Sequence, residues 1–281
     1  MANNNKINKI SEAIKKAAEE KEKALEKEPI PLPPPAEAPP SYEAEIPEKI
    51  IKAGVDHKIV AYYNPRDPIA EQFRALRTHL FSPETAGLFA GQGSNLKTIA
   101  ITSSSHQEGK TLAAVNLAVV IAQDTEKPVL LVDCNLRKPS VDIFLGLHSD
   151  KGLSDVLTGN TNLSDALINT DIKKLTVLPA GHIPANPAEL LGSQKMKNLL
   201  TELKAQFDFI VLDTPPVTPY ADPRILGPLV DGVVMVVRTG KTRREAVLRA
   251  EDTLKKVGAK VLGYVLTGIE YYIPDYIHRH L

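Results

Sequence analysis

The chain has 281 residues with 34 basic and 34 acidic side chains, so its formal net charge is zero and it lacks the basic surplus of most nucleic-acid binders. Its one cysteine, Cys134, excludes a disulfide framework and fits a reducing cytoplasm. No apolar run approaches the roughly 18 residues of a membrane span, and the polar start, Met-Ala-Asn-Asn-Asn-Lys, is unlike a signal peptide.

The first 55 residues read as an extension of a globular domain. Lys and Glu alternate over residues 6–28, with a narrow apolar stripe in the first half, which predicts a charged helix or tail over 1–28. That segment either docks on a partner or a membrane surface or frays in solvent. Eight of the 22 prolines lie between 29 and 47, which indicates an extended linker over 29–55. The globular domain is expected over 56–268.

A helix is predicted over 68–81, because Pro68 suits the first turn and apolar residues recur at helical spacing. Glu71, Arg74 and Arg77 lie roughly on one side of this helix. From their spacing alone, the plain interpretation is a charged face in contact with solvent.

The next apolar run, 98–101, leads into Thr102-Ser-Ser-Ser-His-Gln-Glu-Gly-Lys-Thr111 and a helical pattern over 112–123. A strand, a small polar loop, Gly-Lys-Thr and a helix form the context of a phosphate-binding loop. Loop N–H groups and the helix dipole favour an anion there. Lys110 can reach the β- and γ-phosphates, and the Thr111 hydroxyl can bind Mg²⁺. The usual pattern has glycine where this chain has Ser104, so a chance Gly-Lys-Thr is the alternative.

Eight consecutive residues are therefore the expected nucleotide-binding set. They are Ser105, His106, Gln107, Glu108, Gly109, Lys110, Thr111 and Leu112.

Two further apolar runs end in aspartate: 128–133 at Asp133 and 207–213 at Asp213. Ligands bind at the carboxyl ends of the strands in doubly wound sheets, so both carboxylates are expected to hold Mg²⁺ together with Thr111. A single aspartate at a strand end is more often a turn or cap residue. The Gly-Lys-Thr upstream favours the metal site over that interpretation.

Strands over 174–178, 232–237 and 260–266 and a helix over 243–257 complete the pattern. Their alternation predicts an α/β fold with a doubly wound, mostly parallel sheet. His182, in a proline-rich loop, has no partner apparent in the sequence and is interpreted as a loop residue.

The segment 269–281 carries Tyr271, Tyr272 and Tyr276. A terminal tail is usually mobile, so these tyrosines are candidate phosphate acceptors. Packing on the edge of the sheet is the alternative interpretation.

Six motifs in this order make the chain similar to the bacterial tyrosine kinases of capsule and exopolysaccharide synthesis, in the subgroup whose kinase domain is separate from its membrane activator. They are Ala70-Glu-Gln-Phe-Arg-Ala-Leu-Arg-Thr78, the loop at 102–111, Leu131-Val-Asp-Cys-Asn-Leu-Arg-Lys-Pro139, Pro179-Ala-Gly with Asn186-Pro-Ala-Glu-Leu-Leu191, Ile210-Val-Leu-Asp-Thr-Pro-Pro-Val217 and Val236-Val-Arg-Thr239.

The resemblance implies a P-loop domain that uses ATP and Mg²⁺ to phosphorylate tyrosines of its own tail and so controls polysaccharide synthesis or export. It also implies a membrane-bound chain-length or activator protein as partner. The chain itself would be cytoplasmic and recruited to the inner face of the membrane.

Roles for single residues follow from the same resemblance. Glu71, Arg74 and Arg77 match a motif that joins subunits into a ring, which presents one subunit's tail to the site of the next. The implied autophosphorylation sites are Tyr271, Tyr272 and Tyr276. The implied catalytic residues are Lys110, Asp133, Asn135 and Asp213.

Asn135 departs from the family pattern, which has a carboxylate at this position to help position or deprotonate the attacking hydroxyl. Asparagine accepts a hydrogen bond but cannot take a proton, and a positioned base contributes roughly 10²–10⁴-fold to rate. Two alternatives therefore stay open. One is an ATP-dependent switch that assembles without phosphorylating. The other is a partitioning-type ATPase, although that class carries a lysine early in the loop, where this chain has Ser105.

Overall fold

The computed structural model describes residues 54–82 and 96–269 and builds them around one seven-stranded sheet. The strands are β1 Thr98–Ser103, β2 Val129–Asp133, β3 Ile168–Asn169, β4 Leu175–Leu178, β5 Phe209–Asp213, β6 Gly232–Arg238 and β7 Val261–Thr267. Their order is β3-β4-β2-β5-β1-β6-β7, and every neighbouring pair is parallel except β3 with β4. The predicted doubly wound, mostly parallel sheet is confirmed. The predicted N-terminal helix and the tyrosine-containing tail lie outside the described residues.

Helices cover both faces of this sheet. They are α1 Val60–Tyr63, α2 Pro68–Leu80, α3 Lys110–Thr125, α4 Val141–Leu145, α5 Leu153–Thr158, α6 Leu163–Ala166, α7 Pro187–Leu191, α8 Gln194–Gln206, α9 Asp222–Leu226 and α10 Arg244–Lys256. A short 3₁₀ turn, Gly227–Leu229, follows α9. None of the helices in the described ranges has the length and apolar character needed to cross a membrane.

Two apolar cores form because successive side chains of a strand point to opposite faces of the sheet. In β1, Ile99 and Ile101 join the core under α3, whereas Ala100 joins the core under α8 and α10. The central strands of the sheet are buried on both faces. Their sequences are therefore continuous apolar runs and do not alternate between apolar and polar residues.

Helix α3 is buried along most of its length, between the sheet and α1 and α2. Its one buried polar residue beyond the first turn, Asn116, accepts a hydrogen bond from the backbone N–H of Ala61 at 3.1 Å. Its amide donates to the carbonyls of Leu112 at 3.0 Å and Lys58 at 3.3 Å. These hydrogen bonds fix the position of α3 relative to residues 58–61, which lead into the domain.

Candidate nucleotide-binding site

The Gly-Lys-Thr loop lies at the centre of the sheet, between the end of β1 and the start of α3. Gly109 ends the loop with φ of 90°, a backbone conformation that favours glycine, and α3 begins at Lys110. The first N–H groups of a helix have no partner within the helix. At the start of α3 these groups are available to a phosphate bound in the loop.

Glu108 shapes the loop from inside, a role that the sequence did not indicate. Its side chain is buried and accepts hydrogen bonds from the Ser104 hydroxyl at 2.9 Å and the Ser105 backbone N–H at 3.1 Å. Ser104, which replaces the usual glycine, is therefore a partner of Glu108 and not only a tolerated substitution. The N–H of Ser105 is engaged by the carboxylate, and the later loop amides are the better candidates for phosphate contacts.

The ends of β6 and β7 clamp the loop from outside. The Thr242 hydroxyl donates to Glu108 Oε1 at 2.6 Å, and the Thr267 hydroxyl donates to the Glu108 carbonyl at 2.7 Å. Lys241 and Arg238 contact the side chain and the carbonyl of Gln107 at 3.2 and 3.4 Å. Four side chains that lie more than 130 residues after the loop in sequence thus fix its conformation.

The two predicted acidic residues are neighbours, because Asp133 and Asp213 are register partners at the ends of the parallel strands β2 and β5. Both are buried. Asp213 Oδ2 accepts a hydrogen bond from the Thr111 hydroxyl at 2.7 Å, whereas Oδ1 is buried without a partner. An unpaired buried carboxylate oxygen beside a threonine hydroxyl and a second carboxylate fits a divalent cation.

The electrostatics of this pair point the same way. Burial, then repulsion by Asp213, raises the pKa of Asp133 to about 7. Burial raises the pKa of Asp213 to about 6, although Lys110 and the bond from Thr111 oppose the shift. A cation between the two carboxyls would remove the repulsion and favour their ionised forms.

Asp133 also organises the loop that follows β2. It accepts backbone hydrogen bonds from Asn135 and Ser140, each at 3.0 Å, and from Val141 at 3.1 Å. The Asn135 side chain is engaged in the same loop, because its amide donates to the Lys138 carbonyl at 2.8 Å. Asn135 therefore lies next to the acidic pair, but its donor is directed at the backbone.

A second group of residues was not foreseen. Arg137 forms a two-bond ion pair with the fully buried Asp222, at 2.8 and 3.0 Å, and lies 4.5 Å from the ring of Tyr220. The bond to Asp222 raises the pKa of the Arg137 guanidinium. Tyr220 in turn packs edge-on against His106 of the phosphate loop. The strand-end loops after β1, β2 and β5 are therefore linked to one another.

The remaining predicted residues lie away from the loop. Arg74 and Arg77 of α2 both pair with Asp124 of α3, and Glu71 pairs with Arg74 at 2.6 Å.

His182, interpreted from sequence as a loop residue without a partner, does have one: its Nδ1 lies 2.8 Å from Asp155 Oδ1. Burial raises the pKa of Asp155, but hydrogen bonds from His182 and Gly152 outweigh it and hold the pKa below its usual value.

Comparison with known proteins gives consistent results. A family model described as an AAA domain matches residues 96–260. The tyrosine-protein kinase YwqD of Bacillus subtilis is 39% identical over 214 residues, which are 76% of this chain and 87% of that protein. The kinase domain of the Escherichia coli tyrosine kinase ETK gives a TM-score of 0.68 at 28% identity, covering 77% of this chain and 83% of that one.

The septum site-determining protein MinD of Pyrococcus horikoshii, solved as a complex with Mg-ADP, gives a TM-score of 0.54 at 26% identity. It covers 66% of this chain and 76% of the MinD chain. The fold therefore matches a magnesium-nucleotide protein, and it matches the kinase domain more fully.

Proposed function

The chain belongs to the bacterial tyrosine kinases of capsule and exopolysaccharide synthesis, and we propose that it transfers the γ-phosphoryl group of ATP to tyrosines of its own C-terminal tail, Tyr271, Tyr272 and Tyr276. This autophosphorylation regulates the synthesis or export of a polysaccharide. The observation that carries the proposal is the Gly-Lys-Thr loop beside two register-paired carboxyls, one of which keeps a buried oxygen without a partner.

The phosphates of ATP are held by the loop N–H groups that precede and begin α3, and by the ammonium group of Lys110. The Thr111 hydroxyl and Asp213 would hold Mg²⁺, with Asp133 next to them. When bound, Mg²⁺ neutralises phosphate charge. Glu108, Thr242 and Thr267 keep the loop in one conformation, so little reorganisation is needed when the nucleotide enters.

The acceptor side of the site differs from the family pattern at Asn135. Phosphoryl transfer relies mainly on positioning and charge neutralisation, so loss of a base lowers the rate without abolishing it. The bond between Asn135 and Lys138 favours a second candidate function, an ATP-dependent switch that assembles and signals without phosphorylating.

Assembly and location complete the proposal. Glu71, Arg74 and Arg77 join subunits into a ring that brings the tail of one subunit to the site of the next. The activator is a membrane-bound chain-length protein, and it recruits the cytoplasmic chain to the inner face of the membrane. Residues 1–28 and 29–55 serve as extension and linker to the kinase domain over 56–268.

The test is incubation of the purified full-length chain with Mg-ATP, with and without the cytoplasmic fragment of the activator. Phosphotyrosine is read by immunoblot and located by mass spectrometry. We expect phosphate on the tail tyrosines and none in the Lys110→Met variant. Lys197→Met, in the exposed part of α8, is the matched control and should phosphorylate normally.

Two outcomes separate the candidate functions. Binding of Mg-ATP by calorimetry without phosphotyrosine under any condition supports the switch and excludes the kinase. Absence of Mg-ATP and Mg-ADP binding by the folded chain excludes both.

A further inference from the structure

A short basic segment, residues 238–244, runs from the last residue of β6 to the first residue of α10. It contains Arg238, Lys241, Arg243 and Arg244, all exposed, with no acidic residue among its seven positions. Within the described ranges, none of these four side chains forms an ion pair with a carboxylate. A concentration of unneutralised cations is costly through self-repulsion, and an anionic ligand would relieve that repulsion.

Two of these basic residues, Arg238 and Arg244, line one wall of an open groove of about 700 Å³. The opposite walls are apolar and come from α10 and the edge strand β7. Three of these residues are unusually exposed for their type: Leu248 at 49%, Tyr264 at 44% and Leu266 at 53%. Among the carboxylates around the groove, Glu251 is engaged by Lys255 at 2.7 Å and by the Tyr264 hydroxyl, and Glu108 accepts a hydrogen bond from Thr242 at 2.6 Å. The groove thus combines positive charge that no described carboxylate neutralises with an apolar surface, and this suits an aromatic or aliphatic segment that carries a negative charge.

The chain itself leaves β7 at the rim of this groove. The Thr239 hydroxyl donates to the Gly268 carbonyl at 2.6 Å, and a Cβ at Gly268 would lie 3.3 Å from Cγ of Arg238. Tyr271 follows Gly268 by three residues and Tyr272 by four. Three extended residues span about 10 Å. The first two tail tyrosines can therefore reach the basic segment of their own chain.

We propose that the groove binds the C-terminal tail of the same chain after Tyr271 or Tyr272 has been phosphorylated. The phosphate pairs with the arginines of the basic segment, and the apolar tail residues contact Leu248 and Leu266. Before phosphorylation the tail brings no such charge and is free for the site of a neighbouring subunit. The inference rests on the proposed function, which supplies the phosphate.

Attachment to the same chain makes the capture effective. A short connection holds the phosphotyrosine at a millimolar effective concentration, so even a weak contact is largely occupied. Arginine suits this role, because its planar fork forms paired, charge-assisted hydrogen bonds with phosphate oxygens. The expected consequence is that a phosphorylated subunit retains its own tail and no longer offers it to its neighbour.

The test measures binding of synthetic peptides of residues 268–281 to the full-length chain by fluorescence anisotropy. One peptide carries phosphotyrosine at 272 and the other is unmodified. The protein carries phenylalanine substitutions at Tyr271, Tyr272 and Tyr276, so that its own tail cannot be phosphorylated. We expect the phosphopeptide to bind at least tenfold more tightly, with an affinity that falls as sodium chloride rises.

Variants assign the contact to the groove. Arg244→Gln and Leu248→Asp should each weaken phosphopeptide binding at least fivefold, whereas Arg249→Gln, an exposed neighbour on α10, should not change it. Equal affinities for the two peptides, or full affinity in Arg244→Gln, would overturn the proposal. Because the phosphate is synthetic, this result is independent of whether the chain phosphorylates itself.

Two further experiments test whether the basic segment binds a different ligand. Binding of the chain to phosphatidylserine vesicles that depends on Arg244, together with no phosphopeptide binding, would assign the segment to a membrane surface. Loss of phosphopeptide binding in saturating Mg-ADP would assign it to the nucleotide site. Either result contradicts the tail assignment. Retained phosphopeptide binding in Mg-ADP, with no binding to the vesicles, supports it.

Discussion

Replacing Asn135 with aspartate tests how the loop after β2 is held. The wild-type amide donates to the Lys138 carbonyl at 2.8 Å in a buried position, and an aspartate would place a carboxylate oxygen against that carbonyl. The variant loses one hydrogen bond and leaves the Lys138 carbonyl without a donor, which lowers the free energy of unfolding by about 2–3 kcal/mol. For a domain of this size each kcal/mol lowers Tm by about 2–4 °C, so we expect a fall of about 4–12 °C at pH 8.

The pH dependence of Asn135→Asp has a definite sign. Burial beside Asp133 raises the folded-state pKa of the new carboxyl above its unfolded value. The protonated carboxyl also regains a donor for the Lys138 carbonyl. The loss of stability is therefore largest above the folded pKa and shrinks as the pH falls toward the unfolded pKa. The measurement is thermal unfolding by circular dichroism between pH 5 and 8, expressed at each pH as the difference from wild type.

Asn160→Asp is the matched control, because this exposed asparagine follows α5 in a surface turn. It should change Tm by less than about 2 °C. An unchanged Tm for Asn135→Asp at pH 8 would refute the role given to the Lys138 bond. The same variant is informative in the phosphotyrosine assay: a rise in phosphorylation identifies the missing carboxylate as the limiting part, and no rise counts against that explanation.

Three other predictions concern stability and the loop clamp. Burial raises the pKa of Asp231, but four hydrogen bonds from the start of β1 and from α8 outweigh it and keep the pKa low. Asp231→Asn should therefore cost about 1–3 kcal/mol at pH 7 in urea unfolding, a difference that disappears as the pH falls through the folded pKa. Gly181→Ala should cost more than Gly240→Ala in the same assay, because both glycines have positive φ but only the first Cβ collides with Asp155. Thr242→Val should weaken Mg-ADP binding by calorimetry about three- to tenfold by removing the bond to the buried loop glutamate, and unchanged affinity would contradict the clamp.

The sheet and the phosphate loop could be predicted from sequence because their signals are local. Strands buried on both faces appear as continuous apolar runs, and the predicted bounds of 128–133 and 207–213 differ from β2 and β5 by two residues at most. The register pairing of Asp133 with Asp213 follows once both strands are placed in one parallel sheet. The two-residue antiparallel strand β3 was missed, because so short an edge element has no periodic pattern.

The contacts that hold the loops were not predictable, because they join residues far apart in sequence. Glu108 and Thr242 are 134 positions apart, and Arg137 and Asp222 are 85 apart. A buried glutamate within a phosphate loop also contradicts the usual expectation that glutamate is exposed. Only the fold shows that three hydroxyl and amide donors surround its carboxylate.

The acidic pair links stability to function. Because the folded state raises the pKa of Asp133 to about 7 and of Asp213 to about 6, it binds protons more tightly than the unfolded chain in the absence of metal. The contribution of these two carboxyls to the stability of the metal-free protein is therefore largest below their unfolded pKa near 4. It falls as the pH rises through 6 and 7. A cation that binds between the carboxyls reverses this loss, so Mg-ADP should raise Tm more at pH 8 than at pH 5.5. An equal rise at both values would show that the two carboxyls do not face the metal, and the Asp213→Asn variant should remove most of the difference.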